Sequence, residues 1–235
     1  MHTSLGVSIL AGFLMTTPFL HAQSADKPLG HWEGVIKVPG VEQSVEVDLW
    51  RDQSGELAGT ITMPEQRLVG LPLQKIAVDG ASITLQARED QSFRGSVSAD
   101  GNSIVGELMS PAFLFPFNMI RTGEAQIATP AKIAPIAKEL EGVWEGAVEV
   151  GGSQFRIVLK MSNTAAGSTS ATLINLDEGS LHIPISNINQ EGPHVSIGLA
   201  AVGGSFTATL SQESGELAGT YRQGTLVAPL TFHRK

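Results

Sequence analysis

The sequence predicts an all-β protein, built as two tandem antiparallel up-and-down β-barrels of about eight strands each and joined by a Pro/Ala-rich linker. Three observations carry that prediction. Past residue 29 apolar and polar residues alternate with the period of two that marks half-buried strands, and no helical period interrupts the alternation. Turn-forming clusters punctuate it at short intervals, in a chain with 26 glycines and 12 prolines. The landmarks also repeat. Gly30-His31-Trp32-Glu33-Gly34 returns 112 residues later as Gly142-Val143-Trp144-Glu145-Gly146, and Pro72 and Pro184 keep that spacing. Phe93 and Phe206, Gly106 and Gly219, Pro116 and Pro229, and Arg121 and Arg234 are 113 apart. An offset kept over that many landmarks, with one inserted residue, is the mark of a duplication.

The chain divides accordingly. Residues 1–22 read as a secretory signal peptide: an apolar core at 5–14, a break at Pro18, and Leu20-His21-Ala22 before the expected cleavage site. The core is too short to cross a bilayer, which takes about 20 residues. The expected destination is the periplasm or the exterior. With no cysteine the chain forms no disulfide there. Residues 29–122 form the first barrel. Its runs are Trp32, Gly34, Ile36 and Val38; then Val45, Val47 and Leu49; then Leu57, Gly59, Ile61 and Met63. Next come Leu71 and Leu73; Ile83 and Leu85; Phe93, Gly95 and Val97. Ile104, Gly106 and Leu108 make the seventh, and Phe115, Phe117 and Met119 the eighth. Residues 123–139, with Pro130 and Pro135, are the linker, ending in a turn of helix; 140–235 repeat the barrel. Closure into a barrel would remove the exposed edges of such a sheet, and eight strands leave room for packed side chains or one small ligand.

The functional classes narrow by exclusion. A net charge of −8 with no basic block speaks against nucleic acid and anionic membrane surfaces. No Gly-x-Ser-x-Gly elbow, His-Glu-x-x-His pair or phosphate loop is found, and Ser24-Ala25-Asp26-Lys27 stands outside any helical context. His31, His182, His194 and His233 share no ligand spacing and do not recur between copies, so they read as surface or rim residues. No catalytic residue, metal or cofactor is expected. Glu33 and Glu145 recur on the face opposite the tryptophans, as exposed ion-pair partners. Trp32 and Trp144 read as core plugs. Phe113, Leu114, Phe115 and Phe117 stand out: three phenylalanines within five positions straddle the last turn of the first copy, where the second has Thr225-Leu226-Val227. With Phe115 and Phe117 inward, Phe113 and Leu114 are left as a candidate contact for a ligand or partner.

Two resemblances add to this. Gly30-His31-Trp32 and Gly142-Val143-Trp144 resemble the Gly-x-Trp that opens calycin barrels, the lipocalin and fatty-acid-binding group. That likeness implies a basic residue of the last strand packed over the tryptophan, a part that falls to Arg121 and Arg234 as barrel-closing cations. Trp32-Glu33-Gly34, the Gly-Glu-Leu-Ala-Gly-Thr of 55–60, Leu71-Pro72-Leu73, 92–95 and 116–121 resemble the β-rich accessory domain ahead of secreted α/β-hydrolase catalytic domains. The second copy carries Trp144-Glu145-Gly146, Ile183-Pro184-Ile185, 215–220 and 229–234, while the catalytic domain is absent from this sequence. The expectation is an exported, non-enzymatic binding protein, holding a small apolar ligand in a barrel or docking an exported hydrolase. The alternatives are a hydrolase-type enzyme with its site between the barrels, or a structural spacer of the envelope.

Overall fold

In each copy the tryptophan fixes the start of the first strand. It is fully buried, and its indole N–H donates to the carbonyl four residues earlier: Trp32 to Pro28 at 2.8 Å, Trp144 to Leu140 at 3.0 Å. The computed structural model describes residues 26–129 and 131–235, so the signal-peptide reading and Ser24 lie outside the described residues. The first copy contains β1 (Gly30–Val38), β2 (Val41–Arg51), β3 (Leu57–Met63), β4 (Leu68–Pro72), β5 (Lys75–Asp79), β6 (Ser82–Arg88), β7 (Gln91–Val97), β8 (Ser103–Met109) and β9 (Leu114–Gly123). The second contains β10 (Gly142–Val150), β11 (Ser153–Asn163), β12 (Thr169–Asn175), β13 (Leu181–Pro184), β14 (Asn187–Glu191), β15 (His194–Leu199), β16 (Gly204–Ser211), β17 (Glu216–Gln223) and β18 (Leu226–Arg234). Each set is one antiparallel sheet, ordered β4-β3-β2-β1-β9-β8-β7-β6-β5 and β13-β12-β11-β10-β18-β17-β16-β15-β14. The sheets curl into two tandem half-barrels.

Nine strands replace the expected eight, and the closure differs from a hydrogen-bonded ring. The additional strand in each copy follows the proline corner. Leu73 N–H donates to Gly59 on β3 (2.8 Å), and the next residue, Gln74, donates to Gln86 on β6 (2.7 Å). The chain thus passes from one edge of the sheet to the other between adjacent residues. Ile185 and Ser186 do the same with Ala171 and Gly198. Pro72 and Pro184 sit just before this hand-over, at the edge positions where a missing N–H breaks no ladder.

The core is the inner face of each sheet. In the first copy Ile36, Val45, Val47, Leu49, Ile104 and Met119 are fully buried, and Phe93 meets Phe117 edge to face at 5.3 Å. In the second, Phe206 meets Phe232 at 5.4 Å. Gly106 and Gly219 are required by the tightest crossing: a Cβ there would be driven into the carbonyl oxygens of Arg94 and Thr207. The linker is held at both ends. Gln126 N–H donates to Asp48 (2.6 Å), Ile133 pairs with Thr169, and a short 3-10 turn at Lys138–Leu140 leads into β10.

Candidate functional site

The copies differ in how far their first and last strands stay zipped. β1 pairs with β9 from His31 through Ile36↔Phe117, whereas β10 pairs with β18 only over Trp144↔Arg234, Glu145↔His233 and Gly146↔Phe232. Beyond Gly146 the second sheet splays. Matched positions also shrink: Val148 replaces Ile36, Asn175 replaces Met63, and Ala228 replaces Phe115. A cavity of about 300 Å³ opens at that end of the second barrel. Its wall is apolar, from Val148, Phe155, Ile157 and Leu173 on one side and Leu181, Ile183, Val202 and Leu226 on the other.

The first barrel roofs it. Gln66 from the 3-10 turn between β3 and β4, Leu68 at the start of β4 and Arg88 at the end of β6 complete the lining. They are held there by a polar contact between the copies: Glu89 N–H donates to the Gly179 carbonyl (2.8 Å), Gln74 Nε2 to the Ser180 carbonyl (3.1 Å), and Ser180 Oγ to Glu89 Oε2 (3.2 Å). Two glycines let the surfaces meet this closely. A Cβ on Gly179 would strike the Asp90 carboxylate, and one on Gly224 would strike the Arg67 guanidinium; both glycines also have positive φ, +59° and +58°.

Four more polar side chains share the lining with Arg88 and Gln66. Tyr221 Oη donates to Gln223 Oε1 (2.8 Å), and Gln223 Nε2 donates to the Val202 carbonyl (3.0 Å). Asn175 Nδ2 donates to Glu178 Oε2 (3.0 Å). Arg88 is engaged by Asp90 through Nε (2.9 Å) and Nη2 (2.8 Å). Burial, and then the nearby charge of Glu178, push the Tyr221 phenol up to about 12. The turn that carries Glu178 is braced by Asp177, whose carboxylate accepts from Arg156 N–H (2.7 Å) and from its guanidinium, holding the Asp177 pKa down at about 2.

The residues singled out in the sequence fall elsewhere. Phe117 is buried and Phe115 partly so; Phe113 and Leu114 are 62% and 57% exposed, with Phe113 stacked on Phe115 at 5.6 Å. Arg234 lies over the Trp144 ring, 4.7 Å from its centroid, and donates to the Glu139 and Glu141 carbonyls. Arg121 faces Trp32 in register and donates to the Leu29 carbonyl. Among the described residues the cation–π contact is formed in the second copy alone. His31 corrects the reading of the histidines as surface or rim residues. It is buried, with Nδ1 2.8 Å from Asp48 and Nε2 3.4 Å from Glu33, because the linker covers this patch through Gln126. Glu145 pairs with Lys235 at 2.5 Å. Among the described residues no group of three His, Asp or Glu could hold a metal, and no helix is long and apolar enough to cross a membrane.

No protein-family model and no curated protein matches the chain. Among solved structures it is similar to a protein of unknown function from the DUF3598 family of Nostoc punctiforme, at 16% identity and TM-score 0.25, over 88% of this chain and 94% of that one. It is also similar to a candidate outer membrane protein of Bacteroides fragilis, at 11% identity and TM-score 0.28, over 90% and 99%. Scores this low bear on neither fold nor function.

Proposed function

We propose that the chain is an exported, non-enzymatic binding protein that holds one small ligand with an apolar body in its second barrel, with the first barrel as the roof. The observation that carries this is the cavity itself. It combines a mainly apolar wall with a few polar groups, the usual composition of a small-molecule site, and its volume stands at the lower bound for such sites, about 300 Å³. Export rests on the apolar segment of residues 5–14 and the expected cleavage site after Ala22. The non-enzymatic reading is supported by the sequence, which carries no Gly-x-Ser-x-Gly elbow, His-Glu-x-x-His pair or phosphate loop.

The test uses N-phenylnaphthylamine, an uncharged dye that brightens in apolar surroundings. It is expected to bind the full mature protein with one site. Binding is expected to weaken sharply in Val148→Ile/Asn175→Met, a combination of the residue types that the first copy carries as Ile36 and Met63. Phe113→Ser should leave it unchanged. The opposite pattern would overturn the reading. It would favour a second one, which the exposed Phe113 and Leu114 and the resemblance to hydrolase accessory domains support: docking of an exported hydrolase on the first barrel.

A further inference from the structure

Resting on that reading of the second barrel, we propose that the ligand is a clamp between the barrels: filling the cavity and docking the two copies are coupled, with Arg67 and Glu89 as positioning residues. The reason lies in how lining and docking residues alternate along the turns that meet there. Gln66 and Leu68 line the cavity, and Arg67 between them lays its guanidinium over Gly224 of the other copy. Gln223 and Leu226, on either side of Gly224, are lining residues in their turn. The second contact repeats the pattern. Arg88 lines the cavity and its neighbours Glu89 and Asp90 meet Gly179, while Glu178, next to Gly179, lines the cavity from the other copy.

A docking residue and a lining residue that are adjacent in one turn cannot move independently, because a planar peptide unit joins them. Arg67 illustrates how firmly the turn is set. Its φ of +57°, at the end of the 3-10 turn Pro64–Gln66, is uncommon for a residue with a long side chain and persists only where the surroundings hold it.

The linker does not fix this rim. It is fastened to each barrel separately, Gln126 to the first and Ile133 to the second. The hydrogen bonds that Gln74 and Ser180 make across the seam are exposed to water, which makes them the part of the contact that opens most readily. A ligand that touches residues of both copies therefore binds the docked state better than a parted one. By linkage, docking raises the affinity for the ligand by the same factor.

The experiment is hydrogen exchange of the mature protein, followed amide by amide by NMR, with and without N-phenylnaphthylamine. The Glu89 N–H is bonded across the seam to the Gly179 carbonyl, so its exchange reports parting of the copies. With free dye at about ten times its dissociation constant, exchange at Glu89 is expected to slow several-fold, up to about elevenfold if the parted state has no affinity. Gly55, whose N–H is bonded to Asp52 in the β2–β3 turn at the opposite end of the first barrel, should not change. Arg67→Ala, which leaves the cavity wall as it is, should weaken dye binding several-fold, and Arg67→Lys, which keeps a long stem over Gly224, should recover most of it. Unchanged exchange at Glu89 in protein that binds the dye, or Arg67→Ala binding as tightly as the unaltered protein, overturns the inference while leaving the cavity reading intact. Failure of the dye to bind the unaltered protein overturns both.

Discussion

Exchanging one methylene between matched core positions of the two barrels tests directly whether the second is hollow. Val148 and Ile36 are equivalent in the repeat, 4% and 0% exposed, but Val148 borders the cavity while Ile36 is packed on all sides. Val148→Ile adds one methylene in a β-branched frame whose preferred rotamer is unchanged. If the space is there, burying that group stabilises by about 0.8 kcal/mol. For a unit of this size that is a rise in Tm of roughly 3–6 °C. The reverse change, Ile36→Val, opens a void and costs about 0.5–1.5 kcal/mol. The two substitutions therefore have opposite signs, although each moves one copy toward the other. Urea unfolding followed by tryptophan fluorescence reads both, with an unchanged m value showing that the comparison is sound. A loss of about 1 kcal/mol or more in Val148→Ile would mean that the wall is already full, as in an overpacked core. The assignment of the site would fall with it.

Two further outcomes follow from the geometry. Gly106→Ala and Gly219→Ala should each destabilise by about 1–3 kcal/mol or more, because the new methyl group meets a backbone carbonyl that cannot turn aside; Gly123→Ala, likewise without positive φ but with open space around it, is the control. Tyr221 is the only tyrosine in the chain, so tyrosinate absorbance against pH titrates it unambiguously, and the midpoint is expected near 12 rather than 10. The sign follows from linkage: a folded-state pKa above the unfolded one gives stability that is whole below pH 10 and is lost as pH rises toward 12. Tyr221→Phe should remove that part of the alkaline loss.

Much of the fold was legible because burial on one face of a strand writes itself as alternation. The missed strand, β5, left a trace as well. Inward apolar positions run 71 and 73, then 76 and 78, an odd-to-even slip that marks the bend at Gln74. The hexapeptide Gly-Glu-Leu-Ala-Gly-Thr shows the limit of local reading. At 55–60 it leads into β3 and at 215–220 into β17, which are not equivalent strands. The same residues perform the same local task, a positive-φ glycine and then an extended run, in different places of the topology. The cavity was not legible. Smaller residues at matched positions can be read off, but whether neighbours close the gap depends on how far β10 and β18 stay paired. His31 was misread for a related reason: its cover comes from a linker with no period to reveal where it packs.

Each sheet ends in two edge strands, β4 and β5 in the first copy and β13 and β14 in the second, and of these β4 and β13 reach the opposite copy. Those two strands lie against each other, and each also meets the β6–β7 or β15–β16 turn region of the opposite copy. The contact is therefore close to reciprocal, the arrangement expected across a two-fold axis. A single copy cut loose from its sister would have the same side bare, and another molecule of itself would be the surface most suited to cover it. Joining two copies in one chain makes that pairing independent of concentration. Because each sister keeps the shared face, the two are free to diverge inside, one filled and the other open.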